Sequence, residues 1–277
     1  MTAAGRGRRP ATVLSGVVAA AATPLLIRGL RARPPGGASR WSRTNHAGHP
    51  ISLLEGPGYV LGAGVGAAAG SLLAPGAGPA LLAASGSGAA GLLDDLAGDS
   101  TNKGLRGHLG ALRRGRVTTG ALKIAALAAT GLASAALTDR RDHRALGPAT
   151  LLGGAVIAGS ANLANLLDLR PGRALKASVL AGIPLALAGE RAAAAAVGAA
   201  LGALPADLAR ETMLGDTGAN AAGALIGSAL VARTGLGGRA VALAALTALT
   251  LASERVSFTQ VIESTPVLRE IDSWGRR

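Results

Sequence analysis

The chain has no cysteine and almost no aromatic residues: one Phe, one Tyr and two Trp in 277 residues, with only two Met beside them. The first absence excludes disulfides and thiolate metal sites. The second argues against a soluble core of this size, which is usually built on Phe, Tyr, Trp and Met. Acidic residues are scarce too, 15 Asp+Glu against 28 Lys+Arg, giving a formal net charge of +13. A basic excess fits nucleic acid or the loops flanking a membrane. With so few rings there is nothing on which bases could stack, so no nucleic-acid partner is expected. What the chain does have is small and apolar: 42 Gly, and a hydrophobic share of 49% that excludes a disordered chain.

The apolar residues come in blocks, at about residues 11–27, 56–74, 79–93, 117–137, 148–167, 174–188, 192–204, 219–232 and 239–252. A helix needs about 20 residues to cross the hydrocarbon core, within a range of about 17–25. Several blocks are short for a span, but nine in series separated by short charged loops form a consistent set. A soluble bundle would show polar stripes at helical spacing, and residues 192–204 (AAAAAVGAALGAL) show none. Small residues let helices approach closely where lipid replaces water. The expected fold is therefore all-α, a polytopic membrane bundle of about nine to ten transmembrane helices. It forms one integral-membrane domain over residues 1–277, ending in a cytoplasmic tail at 253–277. Arg6, Arg8 and Arg9 before the first block also fit a signal peptide, but no small-residue cleavage site leads into a soluble domain, which favours a first span.

Orientation follows from the basic residues. With the N-terminus outside and nine crossings, 18 of the 28 Lys+Arg fall in inside loops and 9 in outside loops, with Lys123 left within a segment. That bias puts the odd-numbered connections, and the tail, in the cytoplasm of a multi-pass plasma-membrane protein. The tail SERVSFTQVIESTPVLREIDSWGRR alternates apolar and charged residues. It either lies at the membrane surface with Phe258 and Trp274 as anchors or packs on the loops.

In this topology the acidic motifs gather at the cytoplasmic ends. Asp94 and Asp95 close the third segment, Asn162, Asn165 and Asp168 close the fifth, and Asp216 opens the eighth. A carboxylate at membrane depth costs about 2.5–3.5 kcal/mol at a helix centre, which makes each a functional candidate. Each also has a plain structural reading. Asp94-Asp95 marks a helix leaving lipid. Asn162 and Asn165, three apart on one helix face, serve as interhelical hydrogen-bond glue. Gly215-Asp216-Thr217-Gly218 is a turn capping the next helix. Their co-occurrence at one face favours function. Such a cluster suits Mg²⁺, which takes one or two carboxylates plus substrate phosphates. Lys103, Arg106, Arg170 and Arg173 are placed to hold phosphate oxygens, the equipment of phosphoryl transfer.

The order Asp94-Asp95, then Asn162-x-x-Asn165-x-x-Asp168, then Gly215-Asp216-x-Gly218 resembles the polyprenyl-phosphate N-acetylhexosamine-1-phosphate transferases, over roughly residues 40–265. Asn45-His46-Ala47-Gly48 followed by Ser52-Leu53-Leu54-Glu55-Gly56-Pro57 looks like the opening loop of a divergent subgroup. The resemblance implies a bundle of about ten helices with a cytoplasmic site. The implied reaction moves a sugar 1-phosphate from a UDP-sugar to a membrane polyprenyl phosphate with Mg²⁺ and releases UMP. It implies catalytic roles for Asp94, Asp95 and Asp168, a metal-binding role for Asp216 with Asp168, and substrate contacts from Asn162, Asn165, Lys103, Arg170 and Arg173. The chain departs from the family in three places: no His lies beyond His143, Asp168 is followed by Leu169-Arg170-Pro171-Gly172, and Ala219 stands where Ser is common. In place of the missing His, Arg170 and Arg173 are expected to contact phosphate. His46, His49 and His108 read as solvated loop residues. A homodimer is an admissible assembly. The alternatives are a non-catalytic or lipid-handling relative, and an intramembrane prenyltransferase, for which Asp94-Asp95-x-x-x-Asp99 is a partial match. No internal repeat or midplane helix break points to a transporter.

Overall fold

The computed structural model describes residues 3–44, 48, 50–97 and 118–276. It is almost entirely helical, with 79% helix and 3% strand. Among the described residues nine long helices carry the fold: α1 Ala3–Ala32, α2 Glu55–Ser71, α3 Gly78–Ala97, α4 Thr119–Arg141, α5 Pro148–Leu167, α6 Arg173–Leu187, α7 Arg191–Leu208, α8 Gly215–Arg233 and α9 Leu236–Ser253. Two short helices follow, α10 Phe258–Ser264 and α11 Pro266–Ser273. Each long helix coincides with one apolar block of the sequence. A two-stranded hairpin, β1 Ser42–Thr44 with β2 Pro50–Ser52, pairs antiparallel with Ser42 opposite Ser52.

Two apolar cores meet on α8. One packs Ala and Leu of α1, α2, α6 and α7 against Ala219, Ala221, Ala222 and Leu225. The other packs α3, α4 and α5 against Ala224 and Val231, with Leu243 and Leu246 of α9 at its margin. Fourteen of the 19 residues of α8 are buried, whereas α9 buries only Arg239. Tyr59, the single tyrosine, is fully buried between α2 and α7 and donates its hydroxyl to the Ala196 carbonyl at 3.1 Å.

Four helices are long and apolar enough to cross a membrane by length and composition: Arg9–Ala32 within α1, Thr119–Arg141, Pro148–Leu167 and Leu236–Ser253. This is fewer than the nine to ten expected. The reason is physical. Helices α2 and α6 have only 17 and 15 residues. Helices α7 and α8 are Ala- and Gly-rich and face protein on most sides, so neither length nor hydropathy is demanded of them. The outward side chains of the bundle are apolar, among them Val13, Val17, Leu122, Ile124, Leu151, Leu180, Val241 and Leu251.

The long helices alternate in direction, so the connections sort to two ends. At one end Arg191 donates to the carbonyls of Ala74 and Pro75, Arg141 lies at Gly76, and Arg233 reaches Ala188. This arginine end also holds a closed network. The Arg239 guanidinium donates to both oxygens of Asp139, at 2.9 and 2.5 Å, and to the carbonyls of Ala149, Val231 and Thr234. Thr150 Oγ1 donates to Asp139 at 2.8 Å, and both charged side chains are 1% exposed. Every acidic motif of the sequence lies at the other end.

Candidate functional site

The acidic end is built on one close helix crossing. A Cβ at Gly91 of α3 would run into the carbonyl of Asp216 and the amide of Thr217, so only glycine lets the start of α8 lie against α3. This contact brings Asp95, one turn further along α3, over the first exposed amides of α8. Asp95 Oδ1 accepts from the Asp216 N–H at 3.0 Å, and Oδ2 accepts from the Thr217 N–H at 2.9 Å and Thr217 Oγ1 at 2.6 Å. The first four N–H groups of a helix have no internal partner, and a carboxylate there is favoured by both hydrogen bonding and the helix dipole. Asp95 therefore caps α8 from another helix. Gly215, at φ +61, makes the turn that exposes those amides, and any side chain on it would press on the Asp95 carboxylate.

Asp94 and Asp216 face a residue from α4. Thr118 caps the start of α4, accepting from the Ala121 N–H at 3.1 Å, and one turn later Lys123 points into the cluster with 12% of its side chain exposed. Its ammonium donates to Asp216 Oδ2 and lies 3.4 Å from Asp94 Oδ2. Asn165 of α5 completes the ring when its amide is oriented to satisfy both neighbours: the nitrogen then meets Asp216 Oδ1 at 2.8 Å and the oxygen meets Lys123 Nζ at 3.0 Å. The three donors of the ammonium thus meet three acceptors from α3, α5 and α8.

Asp168 terminates α5, its N–H bonded to the Asn165 carbonyl at 3.1 Å. Burial, and then the nearby charges of Asp207, Asp216 and Asp95, push its carboxyl well above the usual carboxylate range, with the Gly215 backbone N–H pulling the other way. Asp207, buried at the end of α7, accepts from the Gly172 N–H at 2.8 Å. Glu55, fully buried at the start of α2, accepts from Thr212 Oγ1, and its Oε1 has no hydrogen-bond partner among the described residues. The hairpin ties these parts together: Met213 N–H donates to the Ser52 carbonyl at 2.9 Å, and Arg43 donates to the Asp95 carbonyl.

The structure therefore brings Asp94, Asp95, Asn165, Asp168 and Asp216 to one place. Asn162 lies one turn deeper on α5, partly buried. Asp95 differs from the expectation of a catalytic carboxylate, since both its oxygens are engaged by the start of α8. Arg173 is a second correction. It is buried and pairs bidentately with Asp272 of α11, at 2.8 and 2.9 Å, and donates to Thr259 at 2.9 Å, so it does not offer its guanidinium to a phosphate. Arg170 is exposed, 3.8 Å from Glu263. Lys103, with Arg106, Asp99, Asn45, His46, His49 and His108, lies outside the described residues.

Sequence reasoning passed over Lys123, Asp207 and the buried face of Glu55. For Lys123 the signal was present: a lone charge inside an apolar block is a functional candidate on the same grounds as a buried carboxylate. Asp207 sits at a helix end, as Asp94 and Asp168 do. Among the described residues no three His, Cys, Asp or Glu side chains converge as a metal-ligand group. Among the described residues carboxylates nevertheless outnumber the one ammonium within the cluster, and such an excess favours a bound cation or a proton. In comparisons with known proteins, no family model matches the chain and no curated protein matches it.

Proposed function

We propose that the chain is a polytopic membrane enzyme that transfers a sugar 1-phosphate from a UDP-sugar to a polyprenyl phosphate and releases UMP. In this reading all nine long helices cross the plasma membrane, with the acidic end in the cytoplasm. One observation carries it: Asp94, Asn165 and Asp216, from three separated sequence motifs, surround the ammonium of Lys123 at one end of the bundle, with Asp168 close enough for its charge to act on Asp216.

The chemistry places demands that this cluster meets. A phosphate oxygen of the lipid attacks the β-phosphorus of the UDP-sugar, a new P–O bond forms, and the bond from that phosphorus to the bridging oxygen breaks, leaving UMP. Little covalent work falls to the protein; positioning and charge neutralisation dominate. Lys123 would neutralise developing charge on phosphoryl oxygens, and Asn165 holds both Lys123 and Asp216 in register. Asp94 has one oxygen on Lys123 and is half-buried, which leaves it able to accept a hydrogen bond from an incoming acceptor group.

Asp216, with Asp94 or Asp168 beside it, would hold Mg²⁺ once the Lys123 ammonium that occupies its Oδ2 moves onto a substrate phosphate; the ion needs only one or two protein carboxylates when substrate phosphates supply the rest and would supply charge neutralisation on the diphosphate. Two anionic substrates entering an acidic cluster make such a cation necessary on Coulombic grounds.

The test is direct. Purified protein is incubated with Mg²⁺, undecaprenyl phosphate and a panel of UDP-sugars, and UMP is measured. UMP release that disappears in Asp216→Asn is the expected outcome. A folded protein that releases no UMP with any sugar overturns the proposal in favour of a non-catalytic, lipid-handling relative.

A further inference from the structure

Residues 258–276 form a helical hairpin whose polar and apolar sides are reversed relative to a soluble surface helix. Its one buried residue in α11 is a carboxylate, Asp272. Asp272 is gripped by Arg173 through two hydrogen bonds and by Arg276 at 2.7 Å. Lys176 donates to the carbonyls of Ile271, Asp272 and Trp274, at 3.1, 2.6 and 2.7 Å, closing the end of α11. Arg276 also donates to the Pro171 carbonyl at 2.8 Å. The charged side thus faces the bundle. The apolar side faces out: Val267, Ile271 and Trp274 follow at i, i+4 and i+7 on one stripe, with Trp274 68% exposed. Burial of those residues against protein is what a soluble helix would show.

The position of the hairpin says what covers it. It packs on the acidic end of α6. That helix has 15 residues, a length of about 22 Å at 1.5 Å per residue, against about 30 Å of hydrocarbon. The chain enters the hairpin from α9, whose outward face is almost wholly exposed and apolar. The stripe therefore sits where a short helix leaves the acyl region uncovered, on the continuation of a lipid-facing surface. An amphipathic segment with Trp at its edge is the usual occupant of the headgroup–acyl boundary.

We infer that α10 and α11 form an interfacial anchor. Its apolar stripe seats in the bilayer at the cytoplasmic boundary, making up for the shortness of α6, and its Asp272 hub fastens it to the α5–α6 loop. The occupant of the stripe is phospholipid. This rests on the membrane placement proposed above but not on any catalytic activity.

The experiment uses full-length protein in nanodiscs made with phosphatidylcholine brominated near the headgroup end of its acyl chains. Trp274 emission is isolated by subtracting that of Trp274→Phe. A Val241→Trp variant, on the outward face of α9, reports on the bundle itself. Expected are quenching of Trp274 at least twofold over unbrominated lipid and weak quenching by aqueous iodide. Val267→Ser with Ile271→Ser, which leaves the Asp272 contacts in place, should at least halve the bromine effect. Should Val241→Trp be quenched while Trp274 responds to iodide alone, or to neither quencher because a second copy covers it, the anchor is overturned and the membrane placement stands. If neither position responds to bromine, the placement falls and the anchor with it.

Discussion

Asp139 at the arginine end is met by Arg239 and Thr150, with Arg144 3.7 Å away, and the guanidinium of Arg239 gives its remaining donors to three carbonyls, so every donor of Arg239 is used. Asp216 at the acidic end is met by Lys123 and Asn165, but among the described residues its neighbours Asp94 and Asp168 outnumber the cations, and the Lys123–Asp94 contact is long at 3.4 Å and partly open to solvent. Both are buried cation–carboxylate clusters in an apolar bundle, and sequence spacing does not tell them apart. What separates them is the balance of donors and acceptors. A fully bonded pair fixes helices, while a cluster with surplus carboxylates and an exposed edge is open to a cation or a substrate group.

Mutations can break this distinction, and the largest effect belongs to the closed network. Asp139→Ala leaves an unpaired buried guanidinium and should destabilise the fold by about 3–5 kcal/mol, read as a lowered thermal unfolding midpoint. Asp139→Leu combined with Arg239→Met should recover most of that loss, because replacing both charges removes the uncompensated one. At the acidic end the order of effects reverses. Lys123→Met should lower UMP release by about 10²–10³-fold while the unfolding midpoint stays near that of the parent. Equal thermal loss at both ends would erase the comparison.

Gly91→Ala comes next. Its methyl would push the start of α8 away from α3, costing about 1–3 kcal/mol and lifting Asp95 off the α8 amides, so stability and activity should fall together. The tail gives a pH-dependent effect. Burial alone would raise the Asp272 carboxyl, but its bonds to Arg173 and Arg276 hold it below the usual range. Its stabilising contribution is present above the ordinary carboxylate pKa of about 3.9 and is lost as pH falls through the depressed value. Hydrogen exchange over residues 258–276 should therefore stay protected down to about pH 4 and open below it, and Asp272→Asn should abolish that dependence. The smallest effect is expected at Arg31–Glu211, a solvent-exposed pair at 2.7 Å; Arg31→Ala should change stability by less than about 1 kcal/mol.

Much of the fold was legible because the apolar blocks are uninterrupted: residues 148–167 of the sequence coincide with α5 at both ends. Hydropathy was less informative for α2 and α6, which are short, and for α7 and α8, since a helix enclosed by other helices needs small residues more than apolar ones. In the site, the meeting of Asp94, Asn165 and Asp216 followed from their shared end of the bundle. The duty of Asp95 did not, because it depends on the approach at Gly91, 125 positions before the amides it enables in α8. Arg173 and Asp272 are 99 residues apart, and a basic residue next to Asp168 reads as a phosphate ligand until the partner that occupies it is seen.

The place of α8 between two cores also bears on how the protein is made. It is the eighth of nine long helices, and its own hydropathy gives it a weak claim on the bilayer. During synthesis the surfaces of α2, α3, α5 and α7 that will enclose it are already present, lined with glycine and alanine and lacking their partner. With all nine long helices crossing the membrane as proposed, α8 would integrate by docking into this preformed slot more than by partitioning into lipid. Its orientation, and with it that of Asp216, would be inherited from the helices inserted before it.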